Sequence, residues 1–164
     1  MTKLLLAIAV RLLLQAMPGS KPLPPEHPIM VRAAGAAEDL ARELEAMPLS
    51  PEERETYGRV AFVWSFYESA WWASPPGSND KGAACGVLQV HSPELFVPGA
   101  TCGGLRADRR LGYRVGLLAM RHFVATCGGL RAGLTAYSTT GTCPKKGWTI
   151  RLVVDRLALA GVAQ

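Results

Sequence analysis

Glu68 lies near the end of a helix-forming segment, in the most aromatic part of the chain. The aromatic residues around Glu68 are Tyr57, Phe62, Trp64, Phe66, Tyr67, Trp71 and Trp72. Burial among aromatic rings and the negative end of a helix both favour the protonated form of a carboxyl group. A carboxylic acid that stays protonated is what general-acid cleavage of a glycosidic bond requires. Taken alone, a glutamate at a helix end is more often a solvated surface residue.

The helix that carries Glu68 has a clear start and a clear limit. Ser50 suits the N-cap, Pro51 suits the first helical position, and Glu53 completes a capping box. The Pro75-Pro76-Gly77 sequence prevents the helix from extending past the mid-seventies. These signals place Glu68 near the C-terminal end of the helix.

Two further motifs follow Glu68-Ser69 in order. The first is Gly-Ala-Ala-Cys-Gly-Val-Leu-Gln-Val at 82–90, and the second is Ala-Tyr-Ser-Thr-Thr-Gly at 136–141. This order resembles the soluble lytic transglycosylase family, which is related to goose-type lysozyme. That family shows Glu-Ser, then a Gly-Ala-x-Gly-Leu-Met-Gln-like segment, then Ala-Tyr-Asn-x-Gly. The resemblance spans about residues 50–160.

The resemblance implies a predominantly helical α+β structure, lysozyme-like, with a small β/loop lobe beside the catalytic helix. Glu68 would be the single catalytic acid/base, and Ser69 would orient the substrate or the carboxyl group. Gly86 and Gln89 would line the cleft, where Gln89 would bond N-acetyl or hydroxyl groups of the sugar. Tyr137 would place its hydroxyl near Glu68. No metal or organic cofactor is implied.

The chain departs from the family pattern at several points. The segment between Glu68 and Gln89 is longer than usual and has an extra residue before Gly86. Ser138 stands where the family has Asn, and serine offers one hydroxyl with a shorter reach to a bound sugar. These departures leave a non-catalytic wall-binding or assembly module as an alternative.

The segment 86–90 has a physical interpretation of its own. Gly86 permits close backbone approach, and the β-prone run Val87–Val90 predicts a short strand. In a strand, Gln89 would face away from Leu88 and Val90. A plain strand with a bulge at Gly86 is the structural alternative.

The number of catalytic carboxylates decides the reaction. With Glu68 alone, the acid protonates the glycosidic oxygen between N-acetylmuramic acid and N-acetylglucosamine. It then assists the sugar's 6-hydroxyl onto C1, which gives a 1,6-anhydro product. A hydrolytic muramidase would need a second acid to activate water. Asp80 is the candidate, since Asp108 reads as an N-cap, Asp155 lies in the last helix and Glu94 is expected at the surface. The transglycosylase is favoured.

Charge is unevenly distributed along the chain. Lys and Arg total 18 against 13 Asp and Glu, a net charge of +5. Residues 1–68 hold 7 basic and 9 acidic side chains, and residues 69–164 hold 11 and 4. The basic half predicts a positive face for an anionic partner, here peptidoglycan glycan strands.

A nucleic-acid binder would use Arg106, Arg109, Arg110, Arg114 and Arg121. No helix-turn-helix or zinc-finger pattern accompanies them, so nucleic acid is not expected.

The chain divides into three parts. Residues 1–17 form either a signal segment or a hydrophobic N-terminal helix, because Arg11 interrupts the apolar run. Residues 18–32 form a Pro-rich linker, and residues 33–164 form the lysozyme-like domain with its core at 50–160.

Further helices are predicted over 33–47, 108–125, 130–138 and 148–160. The heptapeptide repeated at 101–107 and 126–132 is interpreted as two loop-to-helix junctions. No apolar run is long enough to span a bilayer, and a monomer is expected.

Four cysteines, Cys85, Cys102, Cys127 and Cys143, allow three disulfide pairings. An antiparallel helical hairpin would favour Cys102–Cys143 with Cys85–Cys127, and four buried thiols are the alternative. Disulfides would fit an extracytoplasmic protein, periplasmic or secreted, including a phage-encoded one delivered to the wall. No Cys-x-x-Cys pair occurs and the three histidines do not cluster, which argues against a zinc site.

Overall fold

The computed structural model describes residues 1–73, 84–139, 141–145 and 148–162. Over these residues the chain forms seven α-helices, one two-stranded antiparallel sheet and a 3₁₀ helix at Pro93–Leu95. The helices are α1 (Thr2–Ala16), α2 (Pro28–Ala46), α3 (Pro51–Ser69), α4 (Cys102–Ala107), α5 (Arg109–Thr126), α6 (Leu130–Tyr137) and α7 (Arg151–Ala160). The strands are β1 (Ala84–Cys85) and β2 (Val90–His91). The predicted class, predominantly helical α+β, is confirmed.

The apolar N-terminal segment is part of the hydrophobic core. α1 buries Leu5, Ala9 and Leu12 and packs against α2 and α3, while Arg11 is exposed on its outer face. Among the described residues, no helix is long and apolar enough to cross a membrane.

α2 begins five residues earlier than predicted. Pro28 occupies the first turn, and the backbone N–H of Ile29 donates to His27 Nδ1 at 3.3 Å. A proline at this position does not interrupt the helix, because its missing N–H would have no intrahelical acceptor there. The predicted linker over 18–32 is therefore wrong at 28–32.

α3 has the predicted capping box. Ser50 N donates to Glu53 Oε2 at 2.8 Å, and Glu53 N donates to Ser50 Oγ at 3.1 Å. The helix ends at Ser69, and Ala70 caps it with a left-handed φ of 48°. Its centre is anchored inside the protein, where the Tyr113 hydroxyl of α5 lies 3.1 Å from Ser65 Oγ.

The predicted strand over 87–90 is wrong except at Val90. Residues 86–89 form a turn between β1 and β2, in which Ala84 pairs with His91 and Cys85 with Val90. Gly86 and Gln89 have φ values of +71° and +50°, so side chains do not alternate as in a strand. We refer to residues 86–89 as the cleft turn.

The cleft turn packs closely on α5. Val87 and Leu88 are both fully buried, and Gly116 of α5 lies beneath Leu88. A Cβ atom at Gly116 would lie 2.8 Å from Leu88 Cβ, which is too close for real atoms. A glycine is therefore needed on α5 for the turn to sit at this depth.

The repeated heptapeptide forms two different structures. Its first copy, at 101–107, is almost entirely α4, and Thr101 caps that helix by accepting from Gly104 N at 3.1 Å. Its second copy, at 126–132, crosses from the end of α5 into α6. The interpretation of both copies as junctions is therefore wrong for the first. Asp108 caps α5 as predicted, accepting from Arg110 N at 2.9 Å.

The disulfides pair neighbours along the chain rather than across the predicted hairpin. Cys85 is bonded to Cys102 and Cys127 to Cys143, with Cα atoms 5.2 Å apart in each pair. The predicted pairing of Cys102 with Cys143 and Cys85 with Cys127 is wrong. Cys85 meets Cys102 because α4 begins at Cys102 and packs against β1, the strand that contains Cys85. Two disulfides fit an oxidising, extracytoplasmic location.

Three arginines of α5 are paired with acids of α2. Arg109 lies 2.6 Å from Asp39, and Arg110 and Arg114 each lie 2.8 Å from Glu43. The Glu43 side chain is only 1% exposed, so these pairs join the two helices from inside. The prediction of a positive face from the basic half of the chain is weakened at these three positions, because the two acids Asp39 and Glu43 offset two of the three positive charges.

The substitution Glu43→Gln should destabilise the protein by about 1.5–3 kcal/mol, the range for hydrogen bonds that involve charged groups. The loss should stay below that of a fully buried pair, since Arg110 and Arg114 are 44% and 49% exposed and can be solvated. Urea unfolding monitored by circular dichroism measures the change. Glu45→Gln, on an exposed position of α2, is the matched control and should change stability by about 0.5 kcal/mol or less. Equal effects of the two substitutions would contradict the structural role of Glu43.

Candidate active site

Glu68 lies in the last turn of α3, and its side chain is 28% exposed. Its Oε1 is 2.5 Å from Nη1 of Arg156, which comes from α7. The Arg156 side chain is 8% exposed, and its guanidinium carbon lies 5.2 Å from the Trp64 ring centre and 5.0 Å from that of Tyr67. The aromatic surroundings predicted for Glu68 are present, but a cation lies among them.

Arg156 is the site residue that sequence reasoning missed. It follows Val153 and precedes Leu157 on the buried face of α7, where an apolar side chain is the ordinary choice. An arginine in the apolar stripe of a short helix indicates a buried acidic partner. That signal could have directed attention to Glu68.

Ser69 connects α3 to the cleft turn. Its hydroxyl is buried, 2.8 Å from the Ser65 carbonyl oxygen and 2.9 Å from that of Val87. Both neighbours are backbone acceptors, so the hydroxyl proton serves one of them at a time. Ser69 therefore positions the turn relative to Glu68.

Tyr137 holds the same turn from the opposite direction. Its hydroxyl donates to the Leu88 carbonyl oxygen at 2.6 Å. Burial raises the pKa of Tyr137 well above its usual value, the negative charge of Glu68 raises it further, and Arg156 lowers it. Glu68 and Tyr137 are therefore close enough to interact electrostatically.

Ser138 supports the aromatic part of the site. Its Oγ accepts a hydrogen bond from Trp64 Nε1 at 3.1 Å, on the residue whose ring lies beside Arg156. The polar group of Ser138 is therefore engaged with α3, whereas the resemblance implied a contact with substrate.

Gln89 and Tyr137 line a groove of about 430 Å³ between the sheet region and helices α5 and α6. Gln89 Nε2 donates to the Gly86 carbonyl oxygen at 2.7 Å and closes the cleft turn. Gly86 itself is buried against Leu105 of α4. The lining residues described are Gln89, Val90, His91, Ser92, Leu95, Phe96, Ala119, Phe123, Tyr137, Thr139 and Gly141.

The remaining acids have other surroundings. Asp80 lies outside the described residues. Asp108 caps α5, Asp155 lies 3.7 Å from Arg151 on the exposed side of α7, and Glu94 is exposed in the 3₁₀ helix. In the part of the chain that the structure describes, no three His, Cys, Asp or Glu residues group as metal ligands would.

Comparison with known proteins leaves the family open. The chain matches no protein-family model, no curated protein and no solved structure. Its function is therefore argued from its own residues and geometry.

The stability of the protein should fall as pH rises above about 10, where the tyrosines of an unfolded chain ionise. Burial raises the pKa of Tyr113 and of Tyr137, so the folded state retains protons that the unfolded state loses. Stability from these hydroxyls is fully present below that pH and is lost above it, at about 1.4 kcal/mol per pH unit for each retained proton. Urea unfolding between pH 8 and 11 measures the slope.

Tyr137→Phe should reduce that slope, and it should also cost about 1 kcal/mol at neutral pH because the Leu88 carbonyl loses its donor. Tyr67→Phe is the control, since Tyr67 is 47% exposed. A slope that is identical in the unmodified chain and in Tyr137→Phe would contradict the role assigned to burial of this hydroxyl.

Proposed function

We propose that this protein cleaves peptidoglycan glycan strands as a lytic transglycosylase, with Glu68 as the single acid/base. One observation carries the proposal: three segments that are distant in sequence meet at the cleft turn, from which Gln89 lines the groove together with Tyr137, while Glu68 is not among the described lining residues. Ser69, next to Glu68, bonds the Val87 carbonyl, and Tyr137 bonds the Leu88 carbonyl. These are the segments on which the resemblance to soluble lytic transglycosylases rests, and a lysozyme-like fold belongs to the same proposal.

The proposed reaction is an internal displacement, in which the sugar's own 6-hydroxyl replaces the leaving strand at C1 and no water is consumed. Glu68 gives its proton to the glycosidic oxygen as the bond from C1 to that oxygen breaks, through an oxocarbenium-like transition state. Glu68, now a carboxylate, takes the proton of the 6-hydroxyl as that oxygen bonds to C1. The products are a 1,6-anhydro sugar end and a free hydroxyl on the leaving strand.

The groove supplies the groups for holding a glycan. Gln89 has an amide oxygen and a second amide N–H that suit N-acetyl or hydroxyl groups. Phe96 and Phe123 give apolar surface, and Thr139 adds a hydroxyl along the lining. This mixture of apolar walls with few polar groups is typical of ligand sites. A periplasmic, secreted or phage-delivered location is part of the proposal, since the substrate is the cell wall.

A non-catalytic wall-binding module is the second candidate, and the ion pair at Glu68 favours it. A carboxylate paired with a buried guanidinium at 2.5 Å has to acquire a proton before it can act as an acid. The resemblance does not include this arginine. A protein that keeps the groove but holds its acid as a counter-ion would bind glycan without cleaving it.

The substitution Glu68→Gln should reduce lysis of purified peptidoglycan by about 10²- to 10⁴-fold, the usual contribution of a general acid. Glutamine keeps the shape and a hydrogen-bond acceptor for Arg156 but removes the transferable proton. Release of soluble muropeptides measures the rate. Glu52→Gln, at an exposed position of α3, is the matched control and should leave the rate unchanged. Unreduced lysis by Glu68→Gln would refute the assignment, and binding without lysis by the unmodified protein would establish the second candidate.

The masses of the released muropeptides should show 1,6-anhydro ends, each lighter by one water than a hydrated reducing end. Mass spectrometry of a complete digest measures this without any mutation. Hydrated reducing ends throughout would instead show a hydrolytic muramidase, for which Asp80 is the candidate second carboxylate.

A further inference from the structure

We propose that Arg156 is a positioning residue for Glu68, which fixes the carboxyl group through Oε1 and stabilises the charge that Glu68 acquires on donating its proton. The proposal rests on the function proposed above. It is carried by the geometry of the pair: a 2.5 Å contact between Glu68 and a guanidinium that is 8% exposed.

Arg156 is itself held in place from several sides. Its guanidinium lies within 5.2 Å of the Trp64 ring centre and 5.0 Å of the Tyr67 ring centre. Trp64 is in turn fixed by its hydrogen bond to Ser138. A cation against aromatic faces in a buried position has few alternative rotamers, so it can define the position of its partner.

The pair is poorly explained as a stability device. Burying a guanidinium in the apolar stripe of α7 carries a desolvation cost that an ion pair often fails to recover. In addition, Nε of Arg156 is buried with no hydrogen-bond partner among the described residues. A leucine or methionine at this position would pack against Val153 and Leu157 without that cost. The arrangement is better explained by what it does to Glu68.

The chemical consequence concerns the protonation step. Bonding of Arg156 through Oε1 leaves Oε2 as the oxygen that carries and donates the proton. As the proton leaves, negative charge develops on Glu68 beside a fixed cation in a largely buried site, which stabilises the transition state. Arg156 of α7 is paired with Glu68, and the charge of Glu68 raises the pKa of Tyr137 of α6. Arg156 is not among the described residues that line the groove, so substrate binding itself should depend little on it.

Arg156→Met tests the proposal, because methionine can fill the apolar site but has no charge. We expect kcat to fall at least about tenfold, with KM within about twofold of the original value. Arg156→Lys should restore part of kcat through its charge but less than arginine, which bonds as a planar fork. Arg151→Met, on the 93% exposed side chain of the same helix, is the control.

A second measurement keeps this proposal separate from the proposed function. In protein labelled with carbon-13 at glutamate carboxyl groups, the Glu68 signal is assigned from its absence in Glu68→Gln. In Arg156→Met the chemical shift of this signal should change, whether or not the protein lyses cell walls. An unchanged chemical shift together with activity lost only in proportion to unfolded protein would overturn the positioning role. A changed chemical shift in a protein without lytic activity would support the contact and refute the transglycosylase.

Discussion

The candidate site depends on two backbone carbonyl groups of the cleft turn. Val87 and Leu88 are fully buried, and buried carbonyl oxygens need hydrogen-bond donors. The donors are the hydroxyls of Ser69, from the end of α3, and Tyr137, from the end of α6. Each bond joins residues far apart in sequence, so satisfying the turn also determines where Glu68 lies relative to the groove. Loss of either hydroxyl would leave an unpaired buried acceptor and a less constrained site.

The depth of the turn depends in turn on how α5 is held. Gly116 lets Leu88 approach the helix, and the acids Asp39 and Glu43 of α2 hold the N-terminal part of α5 through three arginines. Positive charge that composition alone would assign to a binding surface is thus used to join helices. The net charge of +5 is therefore weaker evidence for an anionic partner than the unequal charge of the two halves of the chain suggests.

Local signals in the sequence predicted most of the helices, because caps and periodicity act over a few residues. The Ser50–Glu53 capping box and the Asp108 cap are present as expected. What the sequence did not predict depends on tertiary contacts. The β-prone residues 87–89 form a turn because Gly86 and Gln89 adopt left-handed angles, and Cys85 meets Cys102 because α4 packs on β1. Arg156 joins Glu68 across 88 residues, which no local pattern specifies.

The ion pair between Glu68 and Arg156 also bears on how a glycan would be recognised under the proposed function. Because each charge is balanced by the other at 2.5 Å, the pair presents little net field to an approaching anionic strand. Under the proposed function, recognition would therefore fall to the neutral groups of the groove, the Gln89 amide and the aromatic and hydroxyl side chains around it. A neutral, partly apolar cleft suits uncharged N-acetyl sugars better than the acidic peptides attached to them. In the proposed reaction, Glu68 must hold a proton before it acts, and the carboxylate left after proton transfer is again the counter-ion of Arg156.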